Sequence, residues 1–322
     1  MGERLAQLEF VELILGADFL DMKSHAGTGA ARVCVPEDCR KECRELRDSL
    51  LRRLESHGDP EFAYIHDEVI YRVTAMVSLG SDEVFFLRRM TATIRPVERI
   101  PFPERFMELF MNPSSKGLFI ITGDMASGKT SSAASLLAEL LRRHGDTSLA
   151  IEDPPETLLG GLHGEGRCIQ VPVSRKHGTY SQQIEHAMRT GVSTVLIGEV
   201  RHEDVANEAI RLAMTVRVLT TIHGNSPVEA LQRLADLAGD TTDSDKAAKM
   251  LGSGLSAVIH QKLERITAPN GAVLPGVRLG FQSLVVAGPN EAAMRTKIRE
   301  GNFESLRQDI DAQQKDKLWK KD

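Results

Sequence analysis

Through the last two thirds of the chain, short apolar runs alternate with stretches of helical periodicity. Four runs have the length and composition of buried strands: GLFIIT (117–122), SLAIED (148–153), STVLIGEV (193–200) and VRVLTTIH (216–223). Amphipathic stretches such as HEDVANEAIRLAM and PVEALQRLADLAG lie between or after them. This alternation predicts an α/β domain with a mostly parallel sheet that carries helices on both faces.

The first hundred residues follow a different pattern. The segment RKECRELRDSLLRRLES is amphipathic with a helical period, whereas EVIYRVTAMVSL and EVFFLRRM have the β-branched and aromatic content of paired strands. Pro96, Pro101 and Pro103 then follow within eight residues, a density that is unfavourable inside a helix or a strand. We therefore expect a domain boundary at this point.

These patterns divide the chain into four parts. A length of 322 residues with 41% hydrophobic content is enough for two hydrophobic cores. The predicted parts are a mixed α+β domain over residues 1–98, an interdomain linker over 99–115, the α/β domain over 116–290, and a helical C-terminal segment with a polar tail over 291–322.

Charge and hydropathy narrow the class of protein. The formal net charge is -5 and no long basic run is present, so we expect no direct nucleic-acid partner. The N-terminus has acidic residues among its apolar positions, unlike a signal peptide, and no 18 apolar residues run together. We therefore expect a cytoplasmic protein. The four cysteines match no zinc-binding spacing, and we interpret them as structural or incidental.

The strongest chemical motif is GDMASGKT, residues 123–130. Its spacing is that of a phosphate-binding loop, in which backbone N–H groups surround phosphate oxygens, a lysine reaches the β- and γ-phosphates, and a hydroxyl holds Mg²⁺. The motif follows a predicted strand and precedes a predicted helix, as such a loop requires. We thus predict ATP and Mg²⁺ as ligands, with Thr130 on the metal. The predicted binding residues are Gly123, Ala126, Ser127, Gly128, Lys129, Thr130 and Ser131.

Acidic residues and one histidine follow three of the other predicted strands. Hydrolysis requires a carboxylate that organises Mg²⁺ and polarises the attacking water, and Glu199 follows an apolar run at the edge where ligands bind to a parallel sheet. Glu152 and Asp153 end another run, with Asp153 a possible metal ligand, and His223 ends a third. Taken alone, Glu199 could be a solvated carboxylate and His223 a packed core residue.

Together these blocks resemble the type II/type IV secretion ATPase family, which includes type IV pilus retraction motors and conjugation and Dot/Icm-like ATPases. The resemblance rests on GDMASGKTS, AIEDPPE, VLIGEVR and TTIHGNSPVEALQRL, in that order. The later AMRTKIREGNFESL is similar to the C-terminal segment of the retraction-motor branch. GADFLDMK and YRVTAM…FFLRRM are similar to the PAS-like first domain of the family.

The resemblance implies a RecA-like P-loop domain preceded by a smaller PAS-like α+β domain, assembled as a homohexamer. It implies a motor ATPase at the inner membrane, working with a platform protein of a pilus, secretion or conjugation machine, with ATP between the two domains. It assigns hydrolysis to Glu152 and Glu199, nucleotide sensing to His223, and phosphate contacts to Arg72 and to Arg88 or its neighbour.

The sequence departs from the family pattern within the phosphate loop. Asp124 stands where proline is usual and Ala126 where glycine is usual, and the carboxylate lies close to phosphate charge. These departures keep a second function open, a nucleotide-gated assembly or regulatory subunit with negligible hydrolysis. A DNA-handling RecA-like ATPase is disfavoured by the acidic balance. The tetracysteine zinc module of the type II secretion motors is absent from the sequence.

Overall fold

The computed structural model divides the chain into two compact units. The first comprises residues 1–93 with the segments 152–158 and 172–179, and the second comprises the remainder. The residues that the structure describes are 5–23, 32–80, 82–90, 93–173, 178–239, 244–267 and 273–319.

The first unit contains an antiparallel six-stranded sheet. Its strands are β1 (Glu12–Leu15), β2 (Leu20–Lys23), β3 (Val33–Cys34), β4 (Glu61–His66), β5 (Val69–Val77) and β6 (Glu83–Arg89). They lie in the order β3-β2-β1-β6-β5-β4. The predicted pairing of the two aromatic-rich runs is confirmed, because β5 and β6 form one hairpin in which Arg72 lies opposite Arg88.

Helix α1 (Glu37–His57) packs on the core of this unit. Pro36 precedes the first turn, which is acidic, and Gly58 ends the helix in the left-handed conformation with its N–H bonded to the oxygen of Leu54. The buried face includes Cys39 and Cys43, one turn apart, and burial raises the pKa of the Cys43 thiol to about 12. These two cysteines are therefore core residues, as their interpretation from sequence expected.

The second unit is built on an eight-stranded sheet, which confirms the predicted α/β class. Its strands are β7 (Gly117–Gly123), β8 (Thr147–Glu152), β9 (Gly161–His163), β10 (Gly166–Pro172), β11 (Thr194–Ile197), β12 (Arg217–His223), β13 (Leu255–Thr267) and β14 (Val273–Val285). The order is β14-β13-β7-β12-β11-β8-β10-β9. The strands from β13 to β8 are parallel, and β14 and β9 add antiparallel pairs at the two ends.

Eight helices of the described chain belong to this unit. They are α2 (Glu104–Met111), α3 (Lys129–His144), α4 (Tyr180–Ala187), α5 (Glu203–Ala213), α6 (Pro227–Gly239), α7 (Ser244–Gly254), α8 (Glu291–Arg299) and α9 (Arg307–Trp319). The start of α6 is capped, since the Ser226 hydroxyl accepts a hydrogen bond from the N–H of Glu229. Among the described residues, no helix has both the length and the apolar character needed to span a membrane.

The proline-rich segment interpreted as a linker carries helix α2. Pro103 immediately precedes the helix, where a missing N–H costs nothing, and Phe106 and Phe110 then fall on one buried face. The rings of Phe110 and Phe119 pack edge to face with centroids 5.0 Å apart. The compact units accordingly divide between Thr93 and Ile94, before this segment, and α2 lies in the core of the second unit.

One side chain of the C-terminal helix α9 forms hydrogen bonds with the outer strand of the sheet. Gln313 accepts the N–H of Val285 through Oε1 at 2.9 Å and donates from Nε2 to the oxygen of the same residue at 2.9 Å. A single amide therefore binds both backbone groups of one residue at the end of β14.

The packing of α2 generates a prediction about stability. Phe110→Ala should destabilise the second unit by about 3–5 kcal/mol, because it leaves a cavity beneath Phe119. Leu162→Ala is the control, since Leu162 lies in the same unit with 64% of its surface exposed, and should stay within about 0.5 kcal/mol of wild type. Urea unfolding measures both, and equal midpoints would show that α2 does not contribute to the core.

Candidate functional site

The loop between β7 and α3 has the backbone shape of a phosphate-binding loop. Every residue of β7 is buried, and the chain leaves the strand at Gly123 with φ 155° and enters α3 after Gly128 with φ 88°. A Cβ at Gly123 would lie 2.3 Å from the oxygen of Gln261, so no larger residue fits there. Ala126 also has a positive φ of 59°, which explains why glycine is favoured at this position and implies modest strain in this chain.

Lys129 lies at the centre of this loop and is only 7% exposed. Its Nζ donates to the backbone oxygens of Gly123 at 3.0 Å and Asp124 at 2.8 Å. The loop therefore encloses the Lys129 ammonium group at the N-terminus of α3. The first turn of a helix also presents N–H groups without intrahelical acceptors, so both features favour an anion here.

The remaining loop residues test whether a nucleotide and a metal ion fit. The Ser127 hydroxyl oxygen is buried and has no hydrogen-bond partner among the described residues, as expected of a group that awaits a ligand. Thr130 and Ser131 are partly exposed in the first turn of α3, where a hydroxyl is a suitable Mg²⁺ ligand. Asp124 is exposed, and it lines an open cavity of about 570 Å³ together with Asn225 and His260. The residues present therefore fit ATP and Mg²⁺.

His223 connects the loop lysine to the candidate catalytic carboxylate. Its Nδ1 lies 3.3 Å from Lys129 Nζ, and its Nε2 lies 3.0 Å from Glu199 Oε1. Because an ammonium group can only donate, Nδ1 acts as acceptor and the ring proton belongs on Nε2, an assignment made from the partners. Glu199 Oε1 is buried, and a carboxylate oxygen that faces one imidazole N–H can still accept a hydrogen bond from a further donor such as water.

The backbone around Glu199 is fixed on both sides. Strand β11 ends at Ile197, earlier than the sequence pattern predicts, although the Gly198 N–H still binds the oxygen of Ile151 and the Val200 N–H binds the oxygen of Thr221. The Glu199 carboxylate is further held by Arg201, whose Nε donates to Oε2 at 2.7 Å. The pattern therefore identified the carboxylate correctly as a strand-end group but overextended the strand.

The second acidic block lies at the end of β8. Glu152 is the last residue of the strand and is 3% exposed, whereas Asp153 is exposed and precedes a cis peptide bond to Pro154. The segment from Glu152 to Leu158 groups with the first unit. Burial of Glu152 agrees with a positioned carboxylate, and the roles predicted for these two residues remain predictions.

The arginines of the first unit occupy opposite faces of its sheet. Arg72 and Arg88 are paired residues on one face, where they line a cavity of about 290 Å³ with Glu12. Arg89 is paired with the fully buried Tyr71 on the core face, and its guanidinium lies 4.6 Å from the ring centroid of Phe10. Arg88 therefore shares a face of the sheet with Arg72, whereas Arg89 lies on the opposite face, and which of the two contacts phosphate stays a prediction.

Glu12 anchors Arg88 without enclosing it. Burial opposes ionisation of the Glu12 carboxyl, but hydrogen bonds from Lys23 and Arg88 outweigh that effect and lower its pKa below the ordinary value. The contact to Arg88 uses Nε, at 2.9 Å from Glu12 Oε1, and the Arg88 side chain stays 66% exposed. Among the described residues, Arg72 contacts Glu61 at 3.8 Å and Glu156 at 3.9 Å, both longer than the contact of Arg88 with Glu12.

Comparison with known proteins identifies the family. The model of the family described as type II/IV secretion system protein matches residues 52–310, most of the chain. The chain belongs to this family.

Relatives within the family include pilus motors. The Escherichia coli K12 protein YggR, described as uncharacterized, is 30% identical over 228 residues, which are 68% of this chain and 63% of YggR. The type IV pilus retraction ATPase PilT of Pseudomonas aeruginosa is 28% identical over 264 residues, covering 79% and 70% of the two chains. The chain therefore spans about three fifths of the length of the first of these relatives.

A solved structure supports the same fold. The pilus retraction motor PilT with bound ADP superposes with a TM-score of 0.77 at 22% identity, covering 98% of this chain and 90% of that one. This likeness concerns the fold, and it agrees with the architecture described above for a member of the type II/IV secretion family.

Two residues of the site were missed by reasoning from sequence. Gln261 on β13 donates to the Ser127 backbone oxygen, although it lies more than a hundred residues from the loop in sequence. Arg201 lies in the quoted VLIGEVR block and pairs with Glu199. Arg201 could have been found from the sequence, because it lies in a recognised motif. Gln261 could not, because its position beside the loop depends on the pairing of β13 with β7.

The two arginine environments generate a prediction about stability. Arg89→Ala should destabilise the first unit by about 1–3 kcal/mol, because it removes the contact with Phe10 and a hydrogen bond to the oxygen of Leu5. Arg88→Ala should cost about 1 kcal/mol or less, since Lys23 still neutralises Glu12. Denaturant unfolding compares the two, and a larger loss for Arg88→Ala would contradict this assignment of faces.

Proposed function

We propose that this chain binds ATP with Mg²⁺ at the loop of residues 123–130 and hydrolyses it as the motor ATPase of a type IV pilus, secretion or conjugative transfer machine. The observation that supports this most directly is the chain of contacts from Lys129 through His223 to Glu199. It connects the group that would meet the γ-phosphate with the carboxylate that would act on water.

The loop residues have distinct roles in this proposal. Lys129 places one positive charge against the β- and γ-phosphates, and the buried Ser127 hydroxyl and the N–H groups of the loop supply hydrogen bonds. The Thr130 hydroxyl would hold Mg²⁺, with Asp153 as a possible further ligand. The metal ion, when bound, neutralises charge on the phosphate oxygens.

Glu199 is proposed as the residue that orients and polarises the attacking water. The remaining acceptor capacity of its buried Oε1, the partial burial of its side chain and its fixed backbone suit that role. His223, which contacts both Lys129 and Glu199, is placed to respond when phosphate draws the ammonium group away from the loop oxygens. Glu152 is proposed as a second hydrolytic carboxylate on the strength of the family resemblance and its burial.

Arg72 and Arg88 are proposed to contact the phosphate groups during turnover. The support is their shared face and the exposure of Arg88, whose Nε is held by Glu12 while its two terminal nitrogens remain outside that contact. Arginine suits this role because its planar fork binds phosphate oxygens in pairs. The Arg88→Ala variant of the stability comparison tests the idea, since it should still bind ATP but turn it over slowly.

The assembly is proposed from the family resemblance. We propose a homohexamer on the cytoplasmic side of a bacterial inner membrane, working with a platform protein of the machine and with no direct nucleic-acid partner. The relative named as a type IV pilus retraction ATPase supports a pilus machine as the partner. Analytical ultracentrifugation with and without ATP would measure the assembly state, and a monomer under both conditions would contradict it.

A nucleotide-gated regulatory subunit is the second candidate function. The observation that favours it is the altered loop, in which Ala126 adopts a left-handed conformation that glycine adopts more readily and Asp124 adds a negative charge. Such a subunit would bind ATP and change state without sustained hydrolysis.

The proposed loop function predicts the effect of Lys129→Ala. Phosphate release should fall by about a hundredfold or more, because the transition-state charge loses its nearest cation. Lys116→Ala is the matched control, since Lys116 is exposed immediately before β7 at the other end of the strand. Turnover assays with thermal melting separate catalysis from folding, and equal rates for the two variants would exclude the loop assignment.

Glu199→Gln distinguishes hydrolysis from binding alone. ATP should still bind while kcat falls by about a hundred- to ten-thousandfold, because the amide keeps the shape but loses the base. The exposed Glu165→Gln serves as the control for removing one carboxylate. If wild-type protein itself binds ATP without releasing phosphate, the regulatory function replaces the motor. A wild-type kcat for Glu199→Gln would assign the base to another residue.

A further inference from the structure

We infer that Gln261 is a positioning residue that holds the phosphate loop in its binding shape from the neighbouring strand. This inference rests on the proposed nucleotide site and adds to it a residue outside the recognised motifs. Two side-chain hydrogen bonds of Gln261 support it, one to the loop backbone and one to helix α3, together with the close approach of Gln261 to the two glycines of the loop.

The position of Gln261 follows from the pairing of β13 with β7. The register places Ile259 beside Ile121 and His260 beside Thr122, so the next residue of β13 lies where β7 ends and the loop begins. Gln261 is 1% exposed, and its side chain lies on the α3 side, where Ser132 donates from Oγ to Gln261 Oε1 at 2.6 Å. A buried amide anchored on α3 thus reaches the loop.

The other end of the amide binds the loop backbone. Gln261 Nε2 donates to the oxygen of Ser127, and this oxygen can only accept, so the orientation of the amide is determined by its partner. The same nitrogen would lie 3.1 Å from a Cβ at Gly128, and the Gln261 backbone oxygen would lie 2.3 Å from a Cβ at Gly123. Gln261 therefore faces both glycines of the loop.

This contact determines the direction of one loop N–H group. In a trans peptide the C=O and the following N–H point in opposite directions. Because the Ser127 oxygen is directed at Gln261, the N–H of Gly128 points away from Gln261, toward the open side of the loop, where Gly128 is exposed. An N–H fixed in advance binds phosphate without an ordering cost, so loss of the Gln261 contact should weaken nucleotide binding.

The test replaces the donor with an acceptor of the same shape. In Gln261→Glu the carboxylate faces the Ser127 oxygen and repels it, so ATP affinity should fall by about ten- to a hundredfold at pH 8 relative to wild type. Burial raises the pKa of a carboxyl group, and the protonated form can donate again. Part of the affinity should therefore return at pH 6, relative to wild type at the same pH.

Two further variants separate donor loss from added charge. Gln261→Leu should lose affinity without recovery at pH 6, because it cannot donate at any pH. Gln308→Glu adds the same charge at an exposed position on α9 and should bind ATP as wild type does. The measurements are the affinity for a fluorescent ATP analogue and the amide exchange of the peptide 123–131 without nucleotide, which should be faster in both Gln261 variants at pH 8.

The outcomes are distinguishable. Wild-type affinity and loop exchange in Gln261→Glu at pH 8 would overturn the inference, and so would an affinity loss that is identical at both pH values. If the wild-type chain binds no ATP, the proposed function fails, and Gln261 is then judged by loop exchange alone. If Gln261→Glu does not fold, Ser132→Ala replaces it as the test, because it removes only the hydrogen bond that anchors Gln261 to α3. ATP affinity should then fall about two- to tenfold. Unchanged affinity and unchanged loop exchange in Ser132→Ala would count against the inference.

Discussion

The pairing of β7 along both of its edges is the constraint on which the rest of the site depends. The strand is buried throughout, with β12 in register on one side and β13 on the other. A strand held this way ends at a fixed place, so the loop after Gly123 begins between His223 at the end of β12 and Gln261 on β13. The histidine reaches the loop lysine and the glutamine reaches the loop backbone. The chemistry of the loop is thereby controlled from the two neighbouring strands.

Local sequence was sufficient for the features that depend on neighbours in the chain. The loop of residues 123–130, the amphipathic α1 and the capped start of α6 were all predictable, because their geometry is determined within a few residues. Glu199 and His223 were also predictable, since parallel strands bring their carboxyl ends to one edge of a sheet. Their mutual contact was not, because it depends on the adjacency of β11 and β12.

The features that sequence analysis missed depend on contacts between residues far apart in the sequence, or were obscured by nearby prolines. Gln261 could not be assigned because its partners lie in α3 and the loop. Helix α2 was hidden by proline density, although Phe106 and Phe110 have helical spacing and the prolines stand before the first turn. Which of Arg88 and Arg89 shares a face with Arg72 was predictable, because alternation along β6 places Arg89 on the core face with Phe85 and Leu87.

The two hydrogen bonds between Gln313 and Val285 affect the exposed edge of the sheet. Strand β14 ends the order of its sheet, and an outer strand with free backbone groups is a template on which strands of other molecules can add. The side-chain amide of Gln313 imitates such a strand, since it offers one acceptor and one donor to the two groups of one residue. At Val285 the backbone groups of the outer strand are already bound by the C-terminal helix, so a strand of another molecule could pair with this residue only if α9 moved away.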